Sequence, residues 1–182
     1  MSNVLIGIIG VILFIGLALA GALFLGPRFQ ESTNNSKASA AVQAVAQVAH
    51  AANMYEVNNG KFIVNSLTDV DDLKADGFLK ATPVNPVVAS NTPFTIASTG
   101  GLSPTRPSFV LMYLGQTTVA RDVCIAVEKQ MGKTDRLDPT LMEEVTDFFQ
   151  RAGPGKSGCH RNRGSFGGNG GQTGDYLIYY SI

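Results

Sequence analysis

Residues 4–27 read VLIGIIGVILFIGLALAGALFLGP, and no ionisable side chain occurs before Arg28. At about 1.5 Å per residue, Val4 to Leu25 forms a helix of roughly 33 Å, enough to cross a hydrocarbon core. A cleaved secretory signal has a basic n-region, a shorter apolar stretch and a small-residue cleavage site. This run lacks the first and exceeds the second, so it reads as a membrane-spanning helix. An inserted helix is normally oriented by Lys or Arg near its cytoplasmic end. None stands here, and the expectation is a basic leader that has been removed. Gly7, Gly10, Gly16, Gly21 and Gly26 each cost about 1 kcal/mol of helix propensity relative to alanine, yet they allow neighbouring helices to approach closely. Gly7 and Gly10 are not at GxxxG spacing, so no specific dimer motif is read. Gly26-Pro27 is predicted to interrupt or end the helix, because proline lacks the N–H and clashes with the preceding turn.

Working outward, helical periodicity resumes in KASAAVQAVAQVAHAANMYEVNNG, residues 37–60. Ala38, Ala41, Val42, Val45, Val48, Ala49, Ala52 and Tyr55 share a stripe from which Gln43, Gln47 and Asn53 are excluded. The helix is predicted to stop near Asn58-Asn59-Gly60. If continuous across the Gly-Pro joint, the two helical parts make a rod of roughly 80 Å. Three parts follow: an apolar helix over 1–27, an amphipathic continuation over 28–60, and a polar, Gly-rich globular part over 61–182.

In that globular part Thr68 and Asp71 resemble a capping pair that opens a short helix through Leu73, stopped at Asp76-Gly77. Closely spaced X-Pro steps in ATPVNPVV force extended backbone, and Phe94-Thr95-Ile96 reads as a strand. SFVLMYLG, residues 108–115, is the clearest strand by β-branched and aromatic content. A helix opens at Thr117 or Thr118 and runs to Gly132, with Val119, Val123, Cys124, Val127 and Met131 on one face. Another is predicted from Asp138-Pro139 to Gly153. The Gly-rich stretch GSFGGNGGQTG precedes a terminal strand, DYLIYYSI, with Tyr176, Ile178 and Tyr180 on one side and Leu177 and Tyr179 on the other. Strands separated by helices, behind one long N-terminal helix, predict an α+β fold in which that helix packs on an antiparallel sheet.

The 182 residues suffice for one domain with a modest core plus an appendage. Lys+Arg 14 balances Asp+Glu 14, so composition gives no whole-chain attraction to nucleic acid or anionic membrane. Cys124 and Cys159 belong to no CxxC or metal-ligand spacing. Outside the cytoplasm they are expected to form a disulfide, worth about 3 to 4 kcal/mol through lost unfolded-state entropy.

Catalytic chemistry finds little footing. GPGKSG, residues 153–158, contains GKS, but a phosphate-binding loop needs GxxxxGK[ST] between strand and helix; Gln150 replaces the first glycine and the stretch follows a helix. His50 among Ala and Val reads as a packing residue, and His160 beside Cys159 lacks a full ligand set for a metal. Glu143-Glu144 and Asp71-Asp72 are adjacent on helices and diverge. Arg151, Lys156, Arg161 and Arg163, with Phe166 nearby, form a local basic cluster whose simplest reading is a solvated loop, with anionic surface contact as the alternative. The expectation is a non-enzymatic chain with no cofactor or metal and no nucleic-acid partner.

Taken in order, these features resemble a type IV pilin, most similar to the type IVb branch that includes the conjugative thin-pilus pilins of bacterial plasmids. The likeness spans the chain: a charge-free N-terminal helix, a Gly/Pro joint, the amphipathic continuation, Tyr55 with Gly60-Lys61-Phe62, Leu67 with Gly77-Phe78-Leu79, Asn85-Pro86, and a cysteine-bounded region 124–159 before a tyrosine-rich strand. The resemblance implies a structural subunit held first in the cytoplasmic membrane, then assembled by inner-membrane machinery into a homo-oligomeric helical filament on the bacterial surface. It also implies cleavage of a leader by a prepilin peptidase, leaving Met1 as the methylated mature N-terminus. Leu5 stands where the family usually has a glutamate that pairs with a neighbour's N-terminal amine. A carboxylate in an apolar core is costly without its partner, and Ser2 and Asn3 are here expected to satisfy the first helical N–H groups instead. The glutamate is also missing from some tip-located minor pilin-like proteins, so a minor pilin or a pseudopilin is the alternative within this class. From another class, a monomeric membrane-anchored extracytoplasmic binding domain fits the same anchor.

Overall fold

A computed structural model describes residues 2–60, 70–88, 94–98, 108–132, 156–162 and 172–182. The chain is α+β: a helix α1 (Ser2–Asn59), a short helix α2 (Val70–Ala75), strands β1 (Phe94–Ser98) and β2 (Ser108–Gly115), a helix α3 (Thr118–Gln130), and strands β3 (Ser157–Arg161) and β4 (Tyr176–Ser181). It divides into two compact units, Met1–Asn34 and Asn35–Ile182. The predicted helix over 138–153, Thr68 and Phe166 lie outside the described residues, as do Met1 and the side chains of Ser2, Asn3 and Pro27.

The interruption expected at Gly26-Pro27 is a point of correction, because α1 is helical through both positions. A proline removes one hydrogen bond and costs about 3 kcal/mol locally. The bonds on either side remain, and a helix this long absorbs the loss without ending. The predicted stop does hold: α1 ends at Asn59, and Gly60 turns the chain at φ 62° while its N–H donates to the Glu56 carbonyl. A glycine takes that left-handed conformation at little cost.

In the second unit, the α1 stripe meets the sheet as the periodicity predicted. Ala38, Ala41, Val45, Val48, Ala49 and Ala52 are buried, Val42 and Tyr55 are half-buried, and Gln43, Gln47 and Asn53 are exposed. Alanine predominates on this stripe, with Val45 and Val48 as its larger buried side chains. The sheet has order β1-β2-β4-β3, with every pairing antiparallel. Its cross-strand register aligns Cys159, Ile178, Met112 and Phe94 in one row. All four belong to the main core together with the α1 stripe, Leu73, and Ala120, Val123 and Val127 of α3. Phe109, Leu111, Tyr113, Leu177 and Tyr179 alternate with these on the opposite face and form a second buried cluster. That alternation is the period-2 geometry of a strand.

Local chemistry sets the element ends. Past α2, Phe78 and Gly77 donate to the carbonyls of Leu73 and Lys74, with Gly77 at φ 78°, a Schellman stop. The Thr117 hydroxyl caps α3 by accepting from Ala120 N at 3.1 Å. Asn85, buried, donates to the Tyr113 carbonyl at 2.8 Å and accepts from the Val87 and Val88 amides, fastening the loop before β1 to β2.

Candidate functional site

The first compact unit contains a feature that a water-soluble protein rarely tolerates. From Val4 to Leu25 the large apolar side chains are exposed, with Leu5 at 63% and Phe24 at 80%. Apolar surface left in water costs about 25 cal/mol per Å², so a helix exposed on every side demands a second environment. By length and composition it is long and apolar enough to cross a membrane. Its glycines sharpen the point. A Cβ at Gly7, Gly10, Gly16, Gly21 or Gly26 would meet nothing within 4 Å, so packing among the described residues does not account for them.

In the second unit the sequence-predicted cysteines come together. Cys124 on α3 and Cys159 on β3 form a disulfide across a separation of 35 residues, with Cα atoms 5.3 Å apart. Both are buried. The bond ties an edge strand of the sheet to the helix that covers it.

A third residue joins them, one the sequence reading left out. Glu128 lies one turn after Cys124 on α3, is 1% exposed, and its Oε1 accepts from Cys159 N at 2.6 Å. The ladder explains why that amide needs an acceptor. Ser181 N donates to Lys156 O and Asn162 N to Asp175 O, and with hydrogen-bonded pairs alternating along an antiparallel ladder, Cys159 N–H points away from β4. Gly158 provides the room: a Cβ there would sit 2.8 Å from Glu128 Oε1 and 2.6 Å from Tyr179 Oη. The signal for Glu128 was present in the sequence, since Ala120, Val123, Cys124, Val127 and residue 128 follow the i, i+3, i+4, i+7, i+8 spacing of a buried helical face.

The basic cluster is only partly visible. Lys156 is exposed just before β3. Arg161 is half-buried, its Nε donating to the Gly174 carbonyl at 3.4 Å and its guanidinium 5.8 Å from the Tyr176 ring centroid. Arg161 is thus engaged within the fold, while Arg151 and Arg163 lie outside the described residues. β3 itself was missed: the stretch from Ser157, read as the tail of GPGKSG and part of a solvated basic loop, is a strand. His160, next to Cys159, falls on the opposite strand face by alternation, and it is buried. No group of three or more His, Cys, Asp or Glu placed to hold a metal occurs among the described residues. His50 is exposed, its ring 6.0 Å from that of Tyr180.

No known family model matches the chain, and neither the curated proteins nor the solved structures include one significantly similar to it.

Proposed function

We propose that this chain is the subunit of a type IV pilus-like surface filament, held in the cytoplasmic membrane by its N-terminal helix and then assembled through that helix with copies of itself. The observation that carries this reading is the apolar face of residues 4–25, exposed all round within one chain and continuous in one helix with a stripe that the second unit buries. A lipid bilayer and a bundle of identical helices both satisfy such a surface, so the same residues serve a subunit before and after assembly. The glycines support close helix approach in the second state. The disulfide-tied second unit would coat the outside of the filament, its pairing suited to an oxidising compartment. The resemblance of the sequence to pilins of the type IVb branch supplies the filament class and the conjugative or adhesive role.

Electron microscopy of material sheared from cells producing the chain tests the proposal. Filaments composed mainly of this chain are expected; the chain confined to the membrane fraction as a monomer points to an anchored binding domain instead. A trace amount within filaments built of another protein identifies a minor pilin. Leu5→Glu probes the core directly. It is expected to preserve assembly by pairing with a neighbouring amine, whereas loss of filaments shows a wholly apolar seam intolerant of an unpaired charge.

A further inference from the structure

Glu128 makes a contact that the disulfide alone does not require. A carboxylate buried on an apolar helix face is costly unless it is well hydrogen-bonded, and an apolar residue would fill the stripe more cheaply. Its Oε1 nevertheless holds the amide of Cys159 at 2.6 Å, and Cys159 is the disulfide partner of Cys124, one turn away on the same helix. Two independent ties, one covalent and one a charge-assisted hydrogen bond, converge on a single residue of an edge strand. Gly158 leaves space for the carboxylate where any other side chain would collide with it.

We propose that Glu128 is a positioning residue for disulfide formation: in the dithiol protein it keeps β3 docked on α3 and presents the thiol of Cys159 to that of Cys124. Oxidation then proceeds within a preformed geometry, and the pair acts as if at high local concentration. With glutathione disulfide as the oxidant, one thiolate attacks it to give a mixed disulfide and a first glutathione. The second thiolate then displaces another glutathione, so two protein thiols lose two electrons and two protons as two molecules of glutathione form.

The test equilibrates the full chain, in detergent micelles, with mixtures of glutathione and glutathione disulfide, and reads the ratio of disulfide to dithiol after thiol trapping. Hydrogen bonds to charged groups contribute about twice what neutral ones do, so Glu128→Ala is expected to lower that ratio at least tenfold. Glu128→Gln, which keeps the shape and a neutral acceptor, should lower it several-fold. A wild-type ratio in both variants overturns the proposal; if Glu128→Ala does not fold, a wild-type ratio in Glu128→Gln alone does so. Amide hydrogen exchange in Cys124→Ala/Cys159→Ala adds a readout that the covalent bond cannot influence. The amide at position 159 should stay protected while Glu128 is present and lose protection when Glu128→Ala is added. Free exchange at that amide with Glu128 intact and β2 and β4 still protected also overturns it.

Discussion

The two parts of α1 obey the same helical geometry and opposite packing rules. Before Asn35 the large apolar side chains point outward on every side and the glycines touch nothing. After it, alanine and valine fill a single stripe of the main core while the other face carries Gln43, Gln47, His50 and Asn53. Hydrophobicity alone does not separate the two parts. What separates them is whether a covering surface lies among the described residues, and the residue pattern records it: an apolar girdle where none does, a stripe where the core supplies it.

A charge placed in each part should break this comparison most visibly. Val45 is fully buried, so Val45→Asp puts an unpaired carboxylate into the core and is expected to cost at least 4 kcal/mol, unfolding the second unit. Leu13 is 61% exposed, and Leu13→Asp should leave the thermal unfolding of the second unit at its wild-type midpoint. It should instead reduce membrane insertion, since an aspartate at a helix centre costs about 2.5–3.5 kcal/mol there, and with it, on the proposed function, filament yield. Circular dichroism melts and membrane fractionation of the two variants separate the outcomes; a destabilised second unit in Leu13→Asp would mean that the apolar helix also has an internal partner.

The disulfide belongs wholly to the second region. Cys124→Ala with Cys159→Ala opens a loop closed over a separation of 35 residues and should lower stability by about 3–4 kcal/mol in the chain-entropy account. Denaturant titration of the micelle-bound chain measures this, and the helicity of residues 4–25 should not change. Equal loss in both regions would show that they unfold as one.

How far these features could be read in advance depended on where the determining interaction lies. β2 matched its predicted bounds because its β-branched and aromatic content sits on both buried faces. The α1 stripe and the Thr117 cap are local signals, and the structure carries both. β3 escaped because Ser157–Arg161 has no apolar alternation; its place comes from pairing with β4, from the disulfide and from Glu128. The continuity of α1 through Pro27 was misjudged because a local breaker was weighed without the length of helix on either side. The exposed helix was legible throughout, since its signal is composition itself.

Glycines give a finer version of the contrast. Gly158→Ala would place a methyl 2.6 Å from Tyr179 Oη and 2.8 Å from Glu128 Oε1, displacing both, with an expected loss of about 1–3 kcal/mol. Gly10→Ala meets nothing within 4 Å among the described residues and should stabilise the isolated helix by up to about 1 kcal/mol. If the chain assembles as proposed and close approach between copies is the reason for Gly10, the same change should weaken the filaments, giving opposite signs in micelles and in filaments. Filaments as stable as wild type would assign the glycine no role in assembly.

The smallest effect concerns two serines. Ser39 lies exposed on α1, its hydroxyl 3.1 Å from the Asn35 carbonyl and 3.3 Å from Gln130 Oε1. Ser181 is fully buried at the end of β4, opposite Phe109, and its Oγ has no hydrogen-bond partner among the described residues. Its amide already donates to the Lys156 carbonyl, so the backbone pairing does not depend on the hydroxyl. An unsatisfied buried hydroxyl carries a desolvation penalty of about 1–3 kcal/mol, and an alanine leaves only the volume of one oxygen unfilled. Part of the penalty is therefore recovered, and Ser181→Ala should raise stability by about 0.5–1 kcal/mol. Ser39→Ala, which removes an exposed and partnered hydroxyl, should lower it by no more than about 0.5 kcal/mol. Parallel denaturant titrations read the two signs directly. A loss in Ser181→Ala would mean that this hydroxyl is satisfied in solution, by water or by the chain, and that the end of β4 is held by a polar contact as well as by its strand partners.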